Sequence, residues 1–157
     1  MSLIVESGMG LTDSESYVSV SYADSYCASH GLTAWTGTDA VKEVALRKAT
    51  QYLDSMYDFK SERISYTQAL AFPRVLWNWD YPEMNRLRNA CCELAVKALT
   101  GALFSDVEPQ QVISVKVGPI ERTTKPANNG GQKRFAQVDA MIACLTKGMG
   151  SVSVARA

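Results

Sequence analysis

His30, four cysteines and a run of aromatics around Arg74 are the side chains in this 157-residue sequence that could carry chemistry. His30, the single histidine, stands beside Gly31 where a helix is expected to end. An imidazole there interacts favourably with the partial negative charge of the helix terminus, and nothing nearby builds a nucleophilic triad around it. Cys27, Cys91, Cys92 and Cys144 show no Cys-x-x-Cys spacing. Adjacent Cys91 and Cys92 point in different directions on a helix, which suits neither a disulfide nor a zinc site. They read as small buried hydrophobes. Asp54 and Asp58 have helical spacing, but acid–base work needs carboxyls in a cleft with separated pKa values. On the edge of an amphipathic helix they read as solvated charges. There is no phosphate-binding Gly-x-x-x-x-Gly-Lys-Ser/Thr loop and no Gly-x-Ser-x-Gly elbow, and Gly8-Met9-Gly10 lacks both a third glycine and a following helix. The expectation is a protein that is not an enzyme, with no catalytic residue, cofactor or metal.

The aromatics point to binding. Phe72, Arg74, Trp77, Trp79 and Tyr81 interleave rings with a cation, as a platform for single-stranded nucleic acid would. Yet Arg74 is the only basic residue in 64–85, against Asp80 and Glu83, whereas a groove that follows phosphates needs several cations. Phe72, Pro73, Arg74, Trp77 and Trp79 therefore read first as a packing or subunit-contact loop, and second as a base-stacking surface. Formal net charge is zero but unevenly placed: residues 1–40 carry Glu6, Asp13, Glu15, Asp24 and Asp39 with no Lys or Arg. Lys116, Arg122, Lys125, Lys133 and Arg134 later face only Glu121. That polarity suits head-to-tail packing of identical subunits.

The elements that must position these residues are mostly helical. Residues 1–18 read as an extended arm. Ser19 caps a helix from Val20 to His30, with Gly31 as its stop. Thr38 or Asp39 opens a second helix to Tyr57, with Val41, Ala45, Ala49, Tyr52, Leu53 and Met56 in register. Asp80 and Glu83 form a capping-box pattern with Pro82 in the first turn. The third helix runs from there to Phe104 on a stripe from Met84 to Ala102. Residues 112–124 form a short strand or hairpin segment, with Ile113, Val115 and Val117 alternating with polar residues. Lys125–Lys133 is a glycine-containing basic loop. A fourth helix spans Arg134 to Lys147, and residues 149–157 form a strand-like tail. The fold class is thus mainly α: one domain, a bundle of about four helices over 19–148, with an arm at each end. No apolar run approaches the ~20 residues of a membrane span. The first residues do not read as a secretion signal, so a cytoplasmic product is expected.

Several stretches together resemble a phage family. They are Leu3-Ile4-Val5-Glu6 with Gly8 and Gly10, Ser16-Tyr17-Val18-Ser19-Val20, Ala23-Asp24-x-Tyr26 and Ala49-Thr50-x-Tyr52-Leu53-Asp54. Gln68-Ala69-Leu70-Ala71-Phe72-Pro73-Arg74, Lys116-Val117-Gly118-Pro119-Ile120-Glu121 and Gly150-Ser151-Val152-x-Val154-x-Arg156-Ala157 complete the set. The chain resembles the group labelled DnaT-like single-stranded DNA-binding proteins, found among tailed-phage structural genes and similar to head–tail connector, or adaptor, proteins. The resemblance implies a helical subunit assembling with itself, as a ring of twelve copies, beneath the portal protein. It also implies a tail-side neck partner (a stopper or tail terminator), passage of double-stranded DNA without sequence readout, and residence in the virion neck after assembly in the host cytoplasm. A replication accessory protein that binds single-stranded DNA is the alternative.

On this reading the basic loop with Lys125, Lys133 and Arg134 faces the channel or the tail-side protein. The tail residues Ser151, Val152, Ser153, Val154 and Arg156 dock on the portal by pairing with a strand edge. Deleting residues 149–157 should then leave thermal unfolding almost unchanged and abolish co-sedimentation with portal rings. Portal binding at undiminished affinity would remove the tail from that role.

Overall fold

A computed structural model of the chain describes residues 2–76, 80–104, 115–117, 120–122 and 133–147. Among the described residues four helices pack together: α1 (Val20–Ser29), α2 (Asp39–Met56), α3 (Pro82–Thr100) and α4 (Ala136–Ile142). α3 is the central element and touches each of the other three. Its stripe of Met84, Leu87, Ala90, Cys91, Leu94 and Ala95 is fully buried, and α3 packs against α2, whose Ala45, Leu46, Ala49 and Leu53 are buried in the same core. Small residues on both faces let the helices approach closely, and each buried Leu or Met contributes about 1.5–3 kcal/mol. The short strands β1 (Val115–Val117) and β2 (Ile120–Arg122) form an antiparallel pair with Val117 opposite Ile120, within the segment where strand alternation is read from the sequence.

The local signals act as elementary helix chemistry requires at α1. Ser19 caps it by accepting the Tyr22 N–H at 3.2 Å, and Gly31 follows with a φ of +66°, a conformation that glycine adopts without strain. His30 stacks on the Tyr26 ring at 4.0 Å, with Nδ1 2.9 Å from the Tyr26 carbonyl.

Other boundaries differ from expectation. The cap of α3 is Tyr81, with no side-chain cap hydrogen bond, so Asp80 and Glu83 do not form the expected box. α3 stops at Thr100, ahead of Gly101 rather than at Phe104. α4 is half the expected length. Beyond Ile142 the backbone groups find partners in another segment: Lys60 N–H donates to the Leu145 carbonyl, and Lys147 N–H to the Asp58 carbonyl. Thr146 and Phe59 pair as an isolated bridge. A tertiary ladder replaces the last helical turn.

Residues 2–18 do not stand away from the body as an extended arm. Val5 pairs with Ser16. The buried Glu6 carboxylate accepts the N–H groups of Gly8, Gly10 and Leu11 at 2.9–3.0 Å, and the Ser14 hydroxyl at 3.0 Å. Tyr17 and Val18 enter the core. Glycine is needed at position 10, where φ is +72° and a Cβ would sit 3.2 Å from Ile64. Glu15 pairs with Arg47, and Asp24 with Lys42. Three of the five early acidic residues are therefore engaged within the chain, which leaves Asp13 and Asp39 as the acidic surface at this end.

Asp54, expected as a solvated charge, is the joint between three segments. The Tyr17 hydroxyl donates to one carboxylate oxygen, and the Ala71 N–H donates to the other at 2.9 Å. The Phe72 N–H in turn donates to the Tyr17 oxygen at 3.3 Å. Burial raises the Asp54 pKa, against the lowering effect of the Tyr17 and Ala71 hydrogen bonds. Burial, reinforced by the Asp54 charge, also raises Tyr17.

The folded state thus holds the Asp54 proton more tightly than the unfolded chain does. Its contribution is full below the unfolded value of about 4 and is lost as pH rises through the raised folded value. The difference in unfolding free energy between wild type and Asp54→Asn should move in favour of the Asn variant over that window and level off above it. Urea melts across this pH range check the point, and a flat or oppositely signed difference would contradict it. Tyr17→Phe, which removes a bond favouring the ionised form, should cost about 1–3 kcal/mol and steepen the wild-type trend.

Candidate nucleic-acid interface

The loop that offered rings and a cation in sequence turns them inward. Phe72 is 0% exposed, Pro73 is buried, and the peptide bond between them is cis. Phe72 packs edge-on against Phe59 and Tyr17, at 4.8 and 6.4 Å between ring centroids. The Arg74 guanidinium lies 5.6 and 5.8 Å from the Phe59 and Phe72 ring centroids. Its Nε donates to the Ala71 carbonyl at 2.9 Å, and one terminal nitrogen donates to the carbonyls of Phe59 and Ser61. Five fixed donors on a planar fork suit this use.

Residues 59–76 consequently fold as a hairpin-like unit, with Arg63 bridged to Arg74 and Val75 N–H donating to the Glu62 carbonyl. The buried Gln68 amide fastens it further, donating to the carbonyls of Leu70 and Pro73 and accepting from the Ser65 N–H. A backbone-bonded Arg74 is poorly placed to meet phosphate, and a buried Phe72 cannot stack on a base. Trp77 and Trp79 lie outside the described residues.

A different juxtaposition of rings and cations occurs where the end of α3 meets the start of α4. Tyr52 of α2 gathers it. Its ring is 5.4 Å from Phe104 and 5.6 Å from Phe135, and its hydroxyl donates to the Lys133 carbonyl at 2.6 Å. That bond fixes the backbone just ahead of α4. The Lys97 ammonium lies 5.5 Å, and the Lys133 ammonium 5.4 Å, from the Phe135 ring centroid. Phe104, 38% exposed, packs on the same Tyr52 ring as Phe135. Lys48 and Gln51 of α2 line the shallow cleft beside Phe104, which has a volume of about 340 Å³. Two like charges held on one ring repel each other, and an arriving anion relieves that repulsion. A cation–π contact at an exposed site contributes only about 0.5–1 kcal/mol, little enough for a lysine to exchange it for a phosphate.

The remaining site residues are placed as follows. Arg134 turns to the other side, 5.5 Å from the Tyr57 ring centroid and 3.8 Å from Asp139, which accepts the Tyr57 hydroxyl. Lys133 and Arg134, adjacent in sequence, thus serve different surfaces. Lys125, Ser151, Val152, Ser153, Val154 and Arg156 lie outside the described residues. Burial pushes the Cys27 thiol up to about 11 and the Cys91 thiol up to about 12, so neither is poised as a nucleophile. Among the described residues no group of His, Cys, Asp and Glu side chains could hold a metal ion, and no helix is long and apolar enough to cross a membrane.

A family model described as "Putative DnaT-like ssDNA binding protein" matches residues 1–157. No curated protein and no solved structure matches the chain. Arg74→Lys separates the inward loop from the outward patch: losing the fork should cost about 1–3 kcal/mol of stability, measured by urea unfolding, while leaving oligonucleotide affinity within a factor of about two. A loss of affinity without loss of stability would return Arg74 to the interface.

Proposed function

Because the chain belongs to the DnaT-like single-stranded-DNA-binding family, we propose that it binds single-stranded DNA through the patch formed by Lys97, Lys133, Phe104 and Phe135. The family is one of DNA-binding proteins, and its description names binding and no reaction. The observation that carries the assignment to this surface is the pair of ammoniums held on the Phe135 ring, which shares the Tyr52 ring with a partly exposed Phe104. Lysines meet successive phosphates, and the exposed ring receives a base. Every base has a π face, so the contact reads strandedness rather than sequence.

Fluorescence anisotropy with a labelled oligothymidylate tests this. Phe104→Ala should weaken binding by about 1–3 kcal/mol, roughly five- to 150-fold. Replacing Lys97 and Lys133 by Ser should lower the salt slope by about 0.7 for each phosphate that is no longer neutralised. Equal affinity for a duplex of the same length, or unchanged binding by these variants, would contradict the proposal.

A second reading, a head–tail connector that forms a ring beneath a portal and meets a tail-side neck protein, is supported by apolar side chains exposed among the described residues. Val41 and Val44 on α2 are each 47% exposed, Val75 and Leu76 are each 66% exposed, and Tyr66 projects fully into solvent. A subunit that contacts copies of itself needs such surfaces. Labelled protein located by electron microscopy at the neck of virions would support this reading; labelled protein confined to replicating DNA would exclude it.

A further inference from the structure

Arg134 leaves the α3–α4 patch to Lys133 and turns into a separate cleft between the end of α2 and α4. That cleft has a volume of about 590 Å³, within the roughly 300–1,000 Å³ of small-molecule sites. Met56, Tyr57 and Ala143 give it apolar walls, and Arg134 and Asp139 line it beside them. The exposed Lys147–Asp58 ion pair borders it.

The polar groups of the cleft form a connected set. The Tyr57 hydroxyl donates to one Asp139 oxygen at 2.5 Å. Burial, reinforced by that bond, raises the Tyr57 pKa, so the phenol remains a donor. Among the described residues none donates to the second Asp139 oxygen. Arg134 stands beside it, with a terminal nitrogen 3.8 Å from the bonded oxygen and the guanidinium 5.5 Å from the Tyr57 ring centroid. A guanidinium carries five N–H donors, enough for protein contacts and a ligand together. On the described walls each cation faces a carboxylate, Arg134 with Asp139 and Lys147 with Asp58 at 3.1 Å. An anion entering here meets two negative charges as well as two positive ones, so little net attraction is left for it. A neutral ligand suits the cleft better.

We propose that this cleft binds a nucleobase by an edge on which two acceptors stand next to an N–H donor. The acceptors take the Arg134 fork, the donor meets the second Asp139 oxygen, and the ring lies against Met56 and Ala143. Guanine has that order in N7, O6 and N1–H, and cytosine has it in O2, N3 and N4–H. Adenine and thymine instead alternate acceptor, donor and acceptor. A peptide segment does not match, because its trans amide points N–H and C=O to opposite sides. The base arrives either on a free nucleoside or within a single strand, with the same contacts in both cases.

Methyl-resolved NMR of the full chain tests this at Met56, Ala143 and Thr146, all on the cleft. Val44 and Ala98, in the groove between α2 and α3, serve as references. Guanosine and cytidine should shift the cleft methyls saturably and leave the references in place. Adenosine and thymidine should bind roughly five- to 150-fold more weakly. Asp139→Asn, which can present a donor in place of the acceptor, and Arg134→Lys, which removes the fork, should each weaken guanosine binding by a similar factor. Thermal unfolding confirms the fold of each variant, and the comparison of nucleosides needs wild type alone. Nucleosides carry no phosphate, so the proposed DNA patch has no part in that comparison and either proposal can fail by itself. An oligodeoxycytidylate that also shifts the cleft methyls makes the ligand a base within a strand; a response to nucleosides alone makes it a free one. Cleft methyls unmoved by both guanosine and oligodeoxycytidylate, or four nucleosides of equal affinity, would overturn the proposal.

Discussion

One half-buried carboxylate, Asp54, joins three parts of this chain that are distant in sequence. The amino-terminal segment arrives through the Tyr17 hydroxyl, the hairpin through the Ala71 N–H, and the carboxylate itself sits on the last turn of α2. Taking this group from water is costly, and its raised pKa reports that cost. Hydrogen bonds from both flanking segments offset it, so removing one partner leaves a desolvated acceptor and a desolvated donor at once. The arrangement also fixes which side chains remain for function. Once Ala71 and Phe72 are tied to Asp54 and Tyr17, Phe72 faces the core and Arg74 reaches back to the backbone of residues 59–61. The hairpin is a rigid prop with apolar residues outside.

Tyr52, one half-turn earlier on α2, has the corresponding role on the opposite side of that helix. Its ring and hydroxyl bring residues 104, 133 and 135 to one place. The α3–α4 patch and the hairpin are therefore both positioned from the carboxyl-terminal half of one helix, on contacts of long sequence separation. The basic surface is correspondingly small and built from separate elements, unlike a continuous groove. On the proposed reading, a patch of so few cations binds more tightly where several copies share one strand, since linked contacts multiply through effective concentration.

The helices were legible because burial repeats at 3.6 residues: Ala45 to Leu53 of α2, Met84 to Ala95 of α3 and the Ser19 cap could be read directly, whereas Val41 and Ala102, read into the same stripes, are exposed. The length of α4 was not, because its last turn is exchanged for bonds to residues 58–60, which no local pattern announces. Asp54 looked solvated for a similar reason. Its side of α2 is covered by a hairpin 17 residues further on rather than by another helix. The one sequence-level hint was its place in the Tyr52-Leu53-Asp54 motif. The aromatic content of residues 72–81 was visible, but its direction was not: composition cannot distinguish a ring offered to a ligand from one that fills a core. Lys97, Phe104 and Phe135 were read only as parts of helices, because their convergence depends on Tyr52. Trp77, Trp79, Lys125 and the tail from Ser151 to Arg156 lie outside the described residues, and the roles expected of them stand as proposals.

The central claim is that the hairpin ring and cation serve the fold while the α3–α4 patch meets DNA. Hydrogen–deuterium exchange of the full chain, with and without a saturating single-stranded oligonucleotide, addresses it most directly. Added protection at residues 97–104 and 133–136, with no change at residues 70–74, is the predicted result. Protection concentrated at residues 70–74, with the α3–α4 patch unchanged, would contradict the account.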